Sequence, residues 1–271
     1  MSNAAPTTLA GPIILESRHE GIALLVLNRP DKLNALNSEL STALNEALTR
    51  IADDNSVNVV VISGAGRAFC AGGDLGAIGK GRELNQTAEL EPILRSGMQA
   101  VLKMRLMPQP VIAAVNGAAA GAGMNVALAA DIRIAADTAT FGQNFAKVGL
   151  FPDYGGTYFL PQLVGPSVAA EMFYTGDMID APTALRLGIV SRIVPLEQLE
   201  SEVKMLAQKI AQGPQVAIRA VKRMLFGANE KELVKALDHE VDQQMKCFHS
   251  EDCREGIRAF MEKRPPKFQG K

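Results

Sequence analysis

The run Asn58–Ser63 (NVVVIS) is apolar at four successive positions, with no alternation between polar and apolar residues. A strand of this kind needs cover on both faces, and a parallel sheet flanked by helices supplies it. The pattern returns at Pro110–Val115 and at Asp131–Ala136 (DIRIAA), so the chain is expected to build a mixed α/β body around buried strands. Two shorter strand-like runs, Ile13–Ser17 and Ile22–Leu27, precede them around the turn His19-Glu20-Gly21. Helical stretches lie between the strands. Ser38 is placed to cap one whose apolar residues Leu40, Ala43, Leu44, Ala47, Leu48 and Ile51 share a face. Ala122–Ala130 reads as a helix of small residues, and Ala181–Leu187 as a short helix before a strand over Ile189–Val194. Strand-strand-helix units of about 40–60 residues are the expected structural repeat.

From about Leu196 the pattern is helical only: Val203, Leu206, Ala207 and Ile210 form one stripe, and Val216, Ala220, Val221, Met224 and Leu225 another. The expected organisation is a disordered lead-in over 1–11, a core over 12–195 and a helical region over 196–271. With no tryptophan, 5% aromatic residues and 24 glycines in 271 residues, the core must be Ala, Val, Leu and Ile with backbones in close approach. Lys plus Arg number 28 against 29 Asp plus Glu, a net charge of −1 that offers no footprint for nucleic acid or a membrane surface. Met1–Pro12 lacks the basic and apolar regions of a signal peptide. The longest apolar stretch, Gly117–Ala130, is shorter than the roughly 20 residues a membrane span needs. Cys70, Cys247 and Cys253 are too few and scattered for a disulfide framework. A soluble, cytoplasmic protein is expected.

Several chemistries find no support. Gly121-Ala122-Gly123 lacks the third glycine and the later acidic residue of a dinucleotide loop. There is no Walker loop, no G-x-S-x-G elbow and no H-E-x-x-H. Cys247, His249 and Cys253 do not converge as metal ligands and read as part of an amphipathic tail. No metal is expected. Cys70 lacks a histidine base in any recognisable motif and reads as a small buried hydrophobe.

What remains is a pair of similar loops, Phe69-Cys70-Ala71-Gly72-Gly73-Asp74-Leu75 and Asn116-Gly117-Ala118-Ala119-Ala120-Gly121-Ala122-Gly123. Each follows a strand and leads toward a helix. Small residues admit a ligand close to the backbone, and free amides at a helix start carry partial positive charge. Two such amides converging on one point make an oxyanion hole; either loop alone reads first as a tight turn.

Together and in this order the loops resemble the crotonase (enoyl-CoA hydratase/isomerase) superfamily. The resemblance spans nearly the whole chain. It takes in Asn28-Arg29-Pro30 with Asn34-Ala35-Leu36, Ala129-Ala130-Asp131-Ile132-Arg133, Gly149-Leu150-Phe151-Pro152-Asp153-Tyr154-Gly155-Gly156 and Glu255-Gly256-Ile257-Arg258-Ala259-Phe260. It implies a spiral of ββα units with a C-terminal helical trimerisation region, assembled as a homotrimer or a dimer of trimers. It also implies an acyl-CoA thioester as substrate, with no cofactor beyond the coenzyme A the substrate carries. By family position the oxyanion-hole amides are those of Gly73 and Ala122. Coenzyme A contacts fall to Arg29, Lys32, Ala35, Ala71, Gly73, Asp74 and Leu75, and in the tail to Phe260 and Lys263.

The sequence departs from the hydratase pattern where that pattern places two glutamates. Asn125 and Phe145 stand there. Neither is a useful acid or base, although an asparagine can orient water. Asp153 matches an aspartate of the phenylacetate-pathway and dienoyl-CoA isomerase branches. Phe141, Phe145, Phe151 and Tyr154 are close to it in sequence, and apolar surroundings would raise its pKa. The other reading of Asp153 is a helix N-cap. Asp74 is expected to support the first loop. The resemblance therefore implies an enoyl-CoA isomerase with Asp153 as proton shuttle. An enoyl-CoA hydratase using Asp153 and water, or a catalytically silent acyl-CoA-binding trimer, are the alternatives. Residues 76–100 are expected to line the acyl pocket, and Gly76, Gly79 and Gly81 to make that stretch mobile.

Overall fold

The computed structural model describes residues 11–84, 86–87 and 90–271. Apart from Gly11, the expected lead-in lies outside the described residues, as do positions 85, 88 and 89 of the expected acyl stretch.

The chain opens with β1 (Ile14–His19), β2 (Ile22–Leu27) and α1 (Ser38–Ala52), followed by β3 (Val59–Gly64) and β4 (Ala68–Cys70). Two helices come next, α2 (Leu75–Glu83) and α3 (Leu90–Leu106). Then β5 (Val111–Val115), β6 (Ala118–Ala120) and α4 (Ala122–Ala129) are followed by β7 (Ile132–Ala136), β8 (Thr140–Gly142) and α5 (Gly156–Thr175). The elements β9 (Met178–Asp180), α6 (Ala181–Arg186) and β10 (Arg192–Val194) close the body. The last helices are α7 (Leu199–Ala211), α8 (Gln215–Phe226), α9 (Glu230–His249) and α10 (Glu251–Glu262).

One sheet has the order β1-β2-β3-β5-β7-β10, parallel except for β1 with β2; a smaller one has the order β4-β6-β8-β9, parallel except for β8 with β9. Each of the pairs β3/β4, β5/β6 and β7/β8 gives its first strand to the large sheet and its second to the small one. A helix then carries the chain to the next turn. This is the ββα spiral, and the apolar runs Val59–Ile62 and Val111–Val115 of its central strands are buried throughout.

Several boundaries move by one or two residues, as at β1, and two differences have a clear physical reason. The cap of α1 is Asn37, whose side chain accepts Leu40 N at 3.0 Å, and Ser38 is the first helical residue. Asparagine and serine cap about equally well, so composition does not separate neighbours. The strand expected over Ile189–Val194 is only β10. Ile189 and Val190 are buried, but both amides close the end of α6 on the Ala184 carbonyl.

Close approach of backbones depends on glycine. A Cβ on Gly123, in the first turn of α4, would stand 2.2 Å from the Cys70 carbonyl oxygen, so only glycine lets α4 settle against β4. All eight residues of α4 are buried. Cys70 is buried too, its thiol donating to the Asn34 carbonyl (3.1 Å), and burial pushes it up to about 12. It is a packed hydrophobe, as read.

The C-terminal helices serve different faces. α7 packs on β3 and β5, α9 on α3 and α5, and α10 on α2. α8 turns an apolar stripe outward: Val216 is 89% and Met224 76% exposed. Its one buried side chain, Lys222, donates Nζ to the carbonyls of Met104 (2.7 Å) and Gln109 (2.8 Å) and pairs with Asp131 (2.9 Å). No helix among the described residues is long and apolar enough to cross a membrane.

Candidate active site

A cleft of about 470 Å³ opens between the two glycine-rich loops, α2, α3 and the tail helices α9 and α10. The first loop is threaded on Leu36. Leu36 N donates to the Gly72 carbonyl (2.7 Å) and Asp74 N donates to the Leu36 carbonyl (2.9 Å). In a parallel pairing the residue between two such bonds turns its own amide to the other side. That residue is Gly73, and its N–H has no partner among the described residues. Gly72 allows this shape: its φ of +97° suits glycine, and a Cβ there would meet the Ala120 carbonyl oxygen at 2.8 Å.

Ala122 is the first residue of α4, so its N–H has no intrahelical acceptor, and no other described group accepts it. The loops are close: the same Cβ position on Gly72 lies 3.6 Å from Ala122 N. Both Gly73 and Ala122 line the cleft.

Asp153 lines it as well, 4% exposed. Its Oδ2 accepts Gln244 Nε2 (2.9 Å), whereas Oδ1 has no partner among the described residues. Burial pushes the carboxyl up to about 7, with the Gln244 hydrogen bond opposing. Asp153 is not a helix cap. The residue before α5 is Gly155, at a φ of +80°, and no side chain of its own caps the helix. Phe145 and Tyr154 stand with Asp153 in the cleft lining, while Phe141 is buried in β8 and Phe151 is half-buried; neither lines the cleft. Tyr154 Oη shares a hydrogen bond with Ser41 Oγ (2.9 Å).

Asn125 does not face the cleft. It is fully buried, its Nδ2 donates to the Asp153 carbonyl (2.7 Å), and its Oδ1 accepts Gln143 Nε2 (2.6 Å). It braces the Asp153 segment and has no free face with which to orient water. Phe145 presents only its ring.

Of the residues expected to contact coenzyme A, Lys32, Ala35, Ala71, Gly73, Asp74, Leu75 and Phe260 line the cleft. Arg29 and Lys263 do not. The Arg29 guanidinium is held inward by Asp74 (2.9 Å) and the Ala35 carbonyl, and so braces the first loop from behind. Lys263 is the exposed left-handed cap of α10, outside the lining. Asp74 also caps α2 on Ala77 N (3.2 Å). Gly76, Gly79 and Gly81 are residues of α2, a helical wall where a mobile stretch was expected.

Sequence reading missed Arg67 and Lys147, exposed cations at the mouth, and Gln244. A signal for Gln244 existed. Leu233, Leu237, Val241 and Phe248 define the buried face of α9, and Glu240 and Gln244 are polar residues on that face.

The sequence profile of the family described as enoyl-CoA hydratase/isomerase matches residues 17–271. The chain belongs to that family. A probable enoyl-CoA hydratase of Rhodobacter capsulatus is 42% identical over 253 residues, 93% of this chain and 96% of its own. The 1,2-epoxyphenylacetyl-CoA isomerase of Escherichia coli K12 is 37% identical over 265 residues, 95% of this chain and 98% of its own. The crystal structure of an enoyl-CoA hydratase from Mycobacterium avium subsp. paratuberculosis superposes with a TM-score of 0.86 at 32% identity, covering 95% of this chain and 98% of that one. Hydratase/isomerase relatives thus include both reaction types, and this member is an acyl-CoA-processing enzyme of the family.

Proposed function

We propose that this enzyme isomerises an enoyl-CoA thioester, with Asp153 as its single proton carrier. The observation that carries the reading is Asp153 itself, a residue of the cleft lining whose buried Oδ1 has no partner among the described residues, beside the amides of Gly73 and Ala122. The thioester oxygen is received by Gly73 N and Ala122 N. Asp153 in its ionised form removes a proton from one carbon, and the negative charge that moves to the oxygen is held by these amides. Oδ1 then returns the proton to another carbon of the same system. A carboxyl poised near neutrality serves both halves of that exchange.

Isomerisation needs one group within reach of two carbons. Hydration needs water activated and a proton delivered, and Asn125 and Phe145 offer neither. Leu90, Ile93, Leu94, Leu150 and Phe248 make the inner wall apolar, which suits a hydrocarbon or aryl acyl group. Lys32, Arg67 and Lys147 at the mouth suit the phosphates of coenzyme A. The second reading, hydration by Asp153 alone, is supported by the description of the Rhodobacter relative.

Mass spectrometry of a panel of CoA esters separates the two. Hydration adds the mass of one water, and isomerisation leaves the mass unchanged while shifting retention. The expected result is mass-neutral conversion of a β,γ-unsaturated ester and weak or absent hydration of crotonyl-CoA.

The outward stripe of α8 supports assembly as a trimer or hexamer. Light scattering at micromolar protein is expected to give three or six times the chain mass. A monomer unchanged by dilution would overturn that expectation. Cytoplasmic location is part of the same proposal.

A further inference from the structure

A helix begins just after Asp153, yet Asp153 leaves its amides alone. A carboxylate so close to a helix start ordinarily turns onto the free N–H groups, which hold its proton affinity low. Here those donors are occupied by a side chain from another part of the fold. Glu240 of α9 accepts Gly155 N at Oε2 (2.7 Å), and at Oε1 it accepts Thr157 N (3.0 Å) and Thr157 Oγ1 (2.5 Å). One turn further along α9, Gln244 donates Nε2 to Asp153 Oδ2 (2.9 Å) and accepts Phe151 N at Oε1 (2.9 Å). Glu240 and Gln244 are each 1% exposed.

We propose that α9 divides two duties between two carboxyl groups: Glu240 caps α5 in place of Asp153, and Gln244 pins Asp153 Oδ2, leaving Oδ1 as the atom that carries a proton into the cleft. Both are positioning residues that act through Asp153. The inference rests on the proposed role of Asp153 as proton carrier.

Hydrogen bonding decides where the charge resides. Glu240 accepts three donors through both oxygens, as an ionised carboxylate does, while Asp153 accepts Gln244 on one oxygen only. Burial pushes both groups up to about 7. With Glu240 holding its negative charge on three donors, Asp153 is left as the group that gains and loses a proton near neutrality. The other titratable groups close by are Tyr154, on the same segment, and Cys70 of β4, which lies near Tyr154. Lys147, across the cleft, pairs with Asp177 (2.8 Å), and no cation forms an ion pair with Asp153 or Glu240 among the described residues.

The test compares the full-length wild type with Glu240→Gln and Gln244→Glu. The Asp153 carboxyl is titrated by carbon NMR of aspartate-labelled, unliganded protein, its signal assigned by its loss in Asp153→Asn. The acid limb of kcat/KM is followed in parallel. Glu240→Gln removes a neighbouring negative charge and releases one α5 amide, so the Asp153 midpoint should fall by about one pH unit or more. Gln244→Glu keeps the acceptor for Phe151 N but brings a second carboxyl oxygen onto Oδ2, so the midpoint should rise by about as much. Simple loosening of the site would move both midpoints down, toward the ordinary carboxylate value. An unchanged midpoint in Glu240→Gln, or a fall in Gln244→Glu, overturns the proposal. If Glu240→Gln folds poorly, the direction in Gln244→Glu decides alone. Turnover retained by Asp153→Asn would instead remove the proton-carrier reading, and the NMR midpoints would still decide which carboxyl caps α5.

Discussion

Asp153→Asn is expected to lose about two to three orders of magnitude of turnover while binding CoA esters as the parent does. The amide is nearly isosteric and still offers an oxygen to Gln244 Nε2, so the cleft keeps its shape. It cannot take or return a proton. The same substitution should make the protein more stable at alkaline pH. Burial lifts the carboxyl from 3.8 to about 7, so the folded chain prefers it protonated. Its contribution to stability is fully present below the unfolded value and is lost as pH rises to about 7. Above neutrality the folded protein carries a buried carboxylate with one oxygen that has no partner among the described residues, and asparagine removes that burden. The gain is on the order of a few kcal/mol there and close to nothing near pH 4. Turnover assays together with thermal unfolding across that range check both halves. Strong crotonyl-CoA hydration that survives in Asp153→Asn would refute the proposed reaction and its proton carrier together.

Ala122→Pro should lower turnover by about 100-fold or more, the scale of one lost oxyanion donor, with the fold preserved. Proline removes the donor and sets its Cδ where the N–H pointed, at a position whose backbone accepts it. Ala122 is the first residue of α4, where proline is tolerated because the N–H has no helical acceptor. The preceding residue must accommodate the proline ring. Gly121, at φ 52° and ψ −128°, occupies the mirror image of the extended conformation that proline favours in its predecessor, a region open to glycine. Circular dichroism and thermal unfolding establish that the variant is folded. Wild-type turnover in a folded Ala122→Pro protein would show that this amide does not receive the thioester oxygen.

Much of this architecture is written locally. The runs at Val59–Ile62 and Val111–Val115 declare strands buried on both faces because nothing polar interrupts them, and these strands lie inside the large sheet. The glycine-rich loops are legible for a related reason: where backbones meet backbones, only glycine and alanine fit, and the sequence shows them. Boundaries are less legible. Ile189 and Val190 are apolar because they are buried, and burial alone does not say whether the backbone is extended or folding back onto α6. Long-range partners are hidden altogether. Gln244 reaches Asp153 from 91 positions away, and Glu240 meets the start of α5 from 85. Each is one polar residue in an amphipathic helix until the fold brings α9 onto α5. Arg29 illustrates the converse. The resemblance makes it a coenzyme A contact, but the direction of its guanidinium depends on Asp74, 45 residues on, which holds it behind the first loop and out of the cleft lining.

The outward stripe of α8 depends for its position on Lys222. Swinging that helix away from the body would strip a buried ammonium of two carbonyl oxygens and the Asp131 carboxylate together, which makes such excursions rare. Val216, Val221, Met224 and Leu225 are therefore held in register in the isolated chain. Whatever surface meets them finds a rigid template, so little ordering entropy remains to be lost on contact and the strength of the encounter is set by shape and apolar area.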